Sequence, residues 1–104
     1  MRMENFVNKI VTICGSFKYK DMMLKKSLEL ELEDKYVVLQ PVYGLDNYNY
    51  SDDDKKILGE LHYKRIDISD AIYVINVDGY IGESTKKEIE YAKKLGKEIL
   101  YLED

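Results

Sequence analysis

Glu88 is the carboxylate in this chain whose position most suggests chemistry. It lies in the segment ESTKKEIEYAKKLG. At about 100° per residue, Thr85, Ile89 and Ala92 fall on one face of a helix. Glu88 lies on the same side, whereas Glu90 lies nearly opposite. A carboxylate on the buried side of a helix is costly unless a ligand or a hydrogen bond uses it. Glu88 is therefore a candidate functional residue, and the alternative is a carboxylate that only stabilises the helix N-terminus.

Asp70 is a second candidate, because it immediately precedes the apolar run AIYVI. The alternative is an ordinary turn residue between a helix and a strand, a common use of a Ser-Asp pair. Ligands of open α/β sheets bind at the carboxyl ends of the strands. Asp70 is expected at the amino end of its strand, so a catalytic role requires that strand to begin elsewhere.

Two turns carry glycine beside a hydroxyl residue, a combination that offers backbone N–H groups and an oxygen to an anion or a sugar. Gly15 and Ser16 follow the first apolar run, and Gly82 and Ser84 precede the Glu88 helix. The first turn lacks the further glycines of a dinucleotide fingerprint and is not a P-loop. Either turn could instead be purely structural, and Ser84 or Thr85 is expected to cap the helix.

The single histidine and the single cysteine give little further chemistry. His62 lies between Leu61 and Tyr63 on a predicted helix, where a general base is conceivable and a surface or packing role is favoured. Cys14 has no partner for an intrachain disulfide, which fits a reducing compartment. One histidine and one cysteine provide almost no support for a transition-metal site, so no metal and no cofactor are expected.

The elements that must position these residues alternate between strands and helices. The patterns predict strands over 9–14, 35–40, 71–75 and 97–102, and helices over 19–33, 51–68 and 84–95. This order indicates one α/β domain spanning residues 1–104: a small doubly wound, flavodoxin- or Rossmann-like parallel sheet of about four strands with helices on both faces. The second helix is expected to begin at a Ser51 cap and to turn Ile57, Leu58, Leu61 and Ile68 inward.

Composition narrows the possible partners. The chain has 104 residues, 45% of them hydrophobic, and a net charge of −4, which disfavours polymeric nucleic acid as a partner. No run has the length of a signal peptide or a membrane span, so a cytoplasmic protein without a membrane partner is expected. The last predicted strand has no covering helix after it, which suggests a homodimer or higher homo-oligomer.

The segments KIVTICGSFKYKDMM, SDAIYVIN and GYIGESTKKEIEYA together resemble the nucleoside 2-deoxyribosyltransferase-like superfamily, which includes the deoxynucleoside 5′-monophosphate N-glycosidases. The resemblance implies that Glu88 is the nucleophile that attacks the anomeric carbon and expels the base. It implies that Asp70 orients that nucleophile or handles the proton of the leaving base. It also implies that Gly15, Ser16, Gly82 and Ser84 line the sugar and any 5′-phosphate.

The expected function is cleavage or transfer at the N-glycosidic bond of a nucleoside or nucleotide. Two other classes stay open. One is a non-catalytic nucleotide-binding or sensor module on the same scaffold, since two lysines precede Glu88 and Glu90 follows it where the family commonly has small residues. The other is an assembly protein that oligomerises through its tyrosine-rich surface, because the chain has ten tyrosines.

Overall fold

The computed structural model describes residues 8–104. Residues 1–7, where no signal peptide is expected, lie outside the described residues. Four strands form one sheet in this range, β1 (Ile10–Gly15), β2 (Val37–Leu39), β3 (Ala71–Ile75) and β4 (Glu98–Tyr101). Three α-helices connect them in sequence, α1 (Lys20–Asp34), α2 (Asp52–Asp67) and α3 (Glu83–Lys94). The predicted alternation of strands and helices is confirmed, with boundaries shifted by at most two residues.

The sheet has the strand order β2-β1-β3-β4, and all three strand pairs are parallel. β2 is therefore added on one side of β1, and β3 and β4 are added on the other side. Such a change of side leaves a crevice at the carboxyl ends of β1 and β3, where open α/β sheets bind their ligands. Gly15 ends β1 at this place, and a Cβ atom added to it would lie 3.1 Å from Cβ of Ile75 on β3. A residue without a side chain lets the two strands end side by side.

Both faces of the sheet are covered, as the doubly wound prediction requires. Alternate residues of a strand point to opposite faces. Val11 and Ile13 accordingly pack on one face against Met23 and Leu30 of α1. On the other face the core contains Cys14, Ile72 and Val74 from the strands, Ile66 from α2, and Ile89 and Ala92 from α3.

The end of α3 and the start of α2 follow from local sequence. Gly96 has a φ of 72°, and its N–H donates to the Lys93 carbonyl while the N–H of Lys97 donates to the Ala92 carbonyl. This is a Schellman ending, which favours glycine because of the left-handed backbone. At α2, Ser51 and Asp54 form a reciprocal capping box with both bonds at 3.0 Å, so the predicted cap is confirmed.

The buried side of α2 differs from the prediction. Ile57, Leu61 and Ile68 are exposed, Leu58 is half-buried, and the buried residues are His62 and Ile66. Apolar residues lie all around this helix, so its sequence does not define one inner face. Packing against β1 and α3 selects the side that carries His62, and this choice places the histidine beside Glu88.

Among residues 8–104, no helix has the length and the apolar character needed to cross a membrane.

Candidate active site

A cavity of about 450 Å³ opens at the carboxyl end of β1, beside the first turns of α3. This volume is within the range of small-molecule sites. Its lining includes Glu88 and all four residues expected to contact substrate, namely Gly15, Ser16, Gly82 and Ser84. The structure therefore brings together five of the six predicted site residues.

The first turn of α3 begins earlier than expected. Gly82 occupies the N-cap position in an extended conformation, its carbonyl accepts from the N–H of Lys86, and no side chain caps the helix. The expectation that Ser84 or Thr85 caps α3 is therefore wrong. Glycine is one of the residues favoured at an N-cap, where the backbone is extended as it is at Gly82. As a consequence, the side chain of Ser84 is not used as a cap and lies at the cavity.

Glu88 is the inward-facing carboxylate of this cavity. Its side chain is 15% exposed, while Glu90 is exposed on the opposite side of α3, so the predicted orientation of this helix is confirmed. Burial raises the pKa of Glu88 to about 7, and a hydrogen bond from the Cys14 thiol partly offsets this effect. The carboxyl group of Glu88 therefore changes its charge near neutral pH.

His62 is the main residue of the site for which sequence reasoning favoured another role. It is only 6% exposed, lines the cavity, and places Nε2 3.8 Å from Oε1 of Glu88. Burial lowers the pKa of His62 to about 4, and the positive charge of Arg65 acts in the same direction, while a hydrogen bond from the ring to the backbone carbonyl of Ile13 partly offsets both effects. The imidazole is therefore neutral near pH 7, and the contact with Glu88 is not an ion pair. The i,i+4 spacing of His62 and Ile66 is the sequence signal that fits the observed inner face.

Cys14 completes a buried cluster behind the cavity. Its Sγ lies 3.7 Å from Nε2 of His62, and burial together with the charge of Glu88 raises the pKa of the thiol well above its ordinary value. The thiol is therefore protonated at neutral pH. Cys14, His62 and Glu88 are the types of residue that ligate metals, and their ligand atoms all lie within 4.8 Å of one another.

Asp70 is placed away from this cluster. It directly precedes β3, whose observed bounds match the predicted ones, and its Oδ2 accepts from the N–H of Ile10 at 2.8 Å. Because β3 has five residues at about 3.3 Å each, Asp70 lies about 16 Å from the ligand edge of the sheet. The catalytic role implied for Asp70 needs it beside Glu88, and within this chain the strand separates the two residues.

Two further lining residues stand out that sequence reasoning did not select. Glu83, in the first turn of α3, is a second carboxylate at the cavity, and its Oε1 pairs with Nζ of Lys86 at 3.1 Å. Tyr80 forms part of the wall, and Nζ of Lys18 lies 3.6 Å from its ring centroid. Neither residue belongs to a periodic apolar pattern, because Tyr80 lies in the loop between β3 and α3 and Glu83 is the first residue of α3.

These features define a class: a small doubly wound α/β protein with a buried carboxylate in a cavity at the topological switch point. A solved structure described as 2-desoxiribosyltransferase from Leishmania mexicana shares this fold with a TM-score of 0.65 and 21% sequence identity. The match covers 89% of this chain and 63% of the Leishmania chain. The chain therefore has a nucleoside 2-deoxyribosyltransferase-like fold, as the resemblance implied. No protein-family model and no curated protein sequence matches it.

Proposed function

We propose that this protein cleaves or transfers the N-glycosidic bond of a nucleoside or nucleotide, with Glu88 as the nucleophile. The observation that supports this most is the position of Glu88, a buried carboxylate that lines a ligand-sized cavity at the carboxyl edge of the sheet. The shared fold with a protein described as a 2-desoxiribosyltransferase supports this reaction for that carboxylate.

In the proposed reaction, one carboxylate oxygen of Glu88 attacks the anomeric carbon of the sugar. The carbon–nitrogen bond to the base breaks as the carbon–oxygen bond to Glu88 forms, and the base leaves with the bonding electron pair and takes up a proton from solvent water. Water or a second base then attacks the same carbon, loses a proton to solvent and releases Glu88 as a carboxylate. Burial suits this role, since a poorly solvated carboxylate is a stronger nucleophile than a solvated one.

The cavity also has surfaces suited to the two halves of a nucleoside. Phe17, Pro41, Val42 and Leu58 form an apolar part, on which a flat heterocyclic base can pack. Ser16 and Ser84 provide hydroxyl groups, which suit the hydroxyls of a sugar. Glu88 lines the same cavity, so in this reaction the bond between base and sugar must lie beside its carboxylate.

The test is the release of free base from a panel of ribo- and deoxyribonucleosides and their 5′-monophosphates, followed by chromatography. Wild-type protein is compared with Glu88→Ala and with Glu90→Ala, which removes an exposed carboxylate of the same helix. We expect release by wild type and by the Glu90 variant, and none by Glu88→Ala. Release that survives Glu88→Ala would contradict the proposal. Saturable binding of a nucleoside or nucleotide without any product would favour the sensor alternative.

A further inference from the structure

His62 is held between two groups of different chemistry. On one side of the ring, Nδ1 lies 3.4 Å from Nη1 of Arg65. On the other side, Nε2 lies 3.8 Å from Oε1 of Glu88 and 3.7 Å from Sγ of Cys14. The ring therefore connects a permanent cation to the carboxylate of the cavity.

The contact with Arg65 favours one position of the proton on the imidazole ring. A guanidinium group has only donors, so a neutral ring gains a hydrogen bond here only when the nitrogen that faces it is the acceptor. A neutral imidazole has one donor and one acceptor nitrogen. With Nδ1 accepting from Arg65, the proton of neutral His62 is on Nε2, the nitrogen that faces Glu88 and Cys14.

This assignment argues against the metal site that the cluster of Cys14, His62 and Glu88 would otherwise suggest. A metal bound at Nε2 needs that nitrogen free of its proton, and the ring then carries the proton on Nδ1. Metal-ligating histidines normally donate this other N–H to a carboxylate or a carbonyl. Here Nδ1 faces a guanidinium, which offers no acceptor.

We infer that Arg65 fixes His62 as its Nε2–H tautomer and that His62, as a hydrogen-bond donor, positions the carboxylate of Glu88. This inference rests on the proposed function only for its consequence in catalysis. The 3.8 Å separation is longer than a hydrogen bond, and such contacts commonly tighten when substrate binds. Donation to one oxygen of Glu88 leaves the other oxygen free to attack. His62 itself is not a general base, because its acceptor nitrogen is engaged by Arg65.

The tautomer is measurable without any substrate. His62 is the only histidine of the chain, so long-range ¹H–¹⁵N correlation spectra of untagged, ¹⁵N-labelled protein contain one imidazole. We expect the protonated nitrogen to be Nε2 and the unprotonated one to be Nδ1 near pH 7. A proton on Nδ1 would overturn the inference and leave the metal site as the better interpretation.

Arg65→Met tests the origin of this preference, and Lys64→Met is the matched control. Lys64 is the neighbouring cation on α2, and its side chain is 77% exposed. In Arg65→Met we expect the titration midpoint of His62 to rise and a fraction of the ring to move to the Nδ1–H form. Lys64→Met should leave both unchanged. An unchanged tautomer and midpoint in Arg65→Met would contradict the role of Arg65.

Two substitutions at His62 then separate donation from proton transfer. Gln places an N–H group near the position of Nε2 and does not titrate, whereas Leu has no donor. We expect His62→Gln to keep most base release and His62→Leu to lose about tenfold or more, the effect of one hydrogen bond to a charged group. Equal loss in both variants would contradict donation. If wild type releases no base, the proposed function fails, while the spectra still decide the tautomer.

Discussion

Oε1 of Glu88 on α3 lies 3.8 Å from Nε2 of His62 on α2, with both side chains largely buried at the same cavity. The poorly solvated carboxylate of Glu88 ionises near pH 7, whereas the imidazole of His62 stays neutral there. The titratable groups that face Glu88 in the described part of the chain are Cys14 from β1 and His62 and Tyr63 from α2. We therefore expect the protonation state of Glu88 to affect the stability of the protein and, under the proposed function, its rate of base release.

Replacing Glu88 with Gln should stabilise the protein at pH 8 and not at pH 4. The pKa of Glu88 is raised from 4.5 to about 7 on folding, so the folded state binds the proton more tightly than the unfolded state. The stabilisation that comes from this tighter proton binding is fully present below pH 4.5 and is lost as the pH rises through 7. Removing the charge should raise the free energy of unfolding at pH 8 by up to about 3 kcal/mol.

Denaturant unfolding of wild type and Glu88→Gln at both pH values measures this difference. Glu90→Gln is the control, because Glu90 is exposed on the same helix and should show little change. A Glu88 variant that is less stable than wild type at pH 8 would show that the ionised carboxylate is well satisfied in the folded state.

The pH dependence of base release should follow the ionisation of Glu88. Only the carboxylate form can attack the anomeric carbon, so kcat/KM should rise between pH 5.5 and pH 8 with a midpoint near 7. His62 has a pKa of about 4 and stays neutral over this range. Initial rates on the best substrate of the panel, measured across the range, provide the profile. A flat profile would mean that Glu88 is fully ionised already at pH 5.5.

Replacing Asp70 with Ala should reduce stability and leave base release largely intact. The substitution removes the acceptor for the Ile10 N–H, worth about 1 kcal/mol, at the edge of the sheet opposite the cavity. Denaturant unfolding and kcat, each compared with Glu88→Ala, separate the two effects. Loss of kcat as complete as that of Glu88→Ala, in a folded protein, would restore the catalytic role implied by the family resemblance.

Zinc should not stabilise the wild-type protein but should stabilise Arg65→Met. A ligand that binds only the folded state raises the melting temperature once its concentration exceeds the dissociation constant. Without the guanidinium, His62 is free to carry its proton on Nδ1 and to present Nε2 to a metal beside Cys14 and Glu88. Thermal melts with and without about 100 μM Zn²⁺ test this.

Cys14→Ser in the Arg65→Met background should remove the zinc effect, because it replaces the thiolate ligand. Stabilisation of the wild-type protein by zinc would contradict the tautomer assigned to His62.

Several features of this protein were predictable from sequence because they are encoded locally. The four strands are short apolar runs bounded by turn residues, and β3 was predicted with its observed bounds. The orientation of Glu88 was also predictable, because Thr85, Ile89 and Ala92 define one buried side of α3. The Ser51 cap of α2 follows from two residues at the required spacing.

The errors fall where local sequence leaves several structures of similar energy. Ser84, Thr85 and Gly82 all suit an N-cap, and the loop after β3 selects Gly82. The side of α2 that faces the core was wrongly predicted, because apolar residues surround this helix. The position of Asp70 is not one of these errors, because its place at the amino end of β3 is the expected one. Its catalytic role was implied by the family resemblance alone and stays a prediction.

The sequence by itself determined the order of elements, the parallel α/β sheet and the inward orientation of Glu88, since each depends on residues close together in the chain. Only the tertiary structure decided what surrounds that carboxylate. Cys14, His62 and Glu88 come from β1, α2 and α3 and meet because these elements pack on one face of the sheet. The free energy of packing α2 against its neighbours selects the helix side that carries His62, and a local pattern contains no information about that competition.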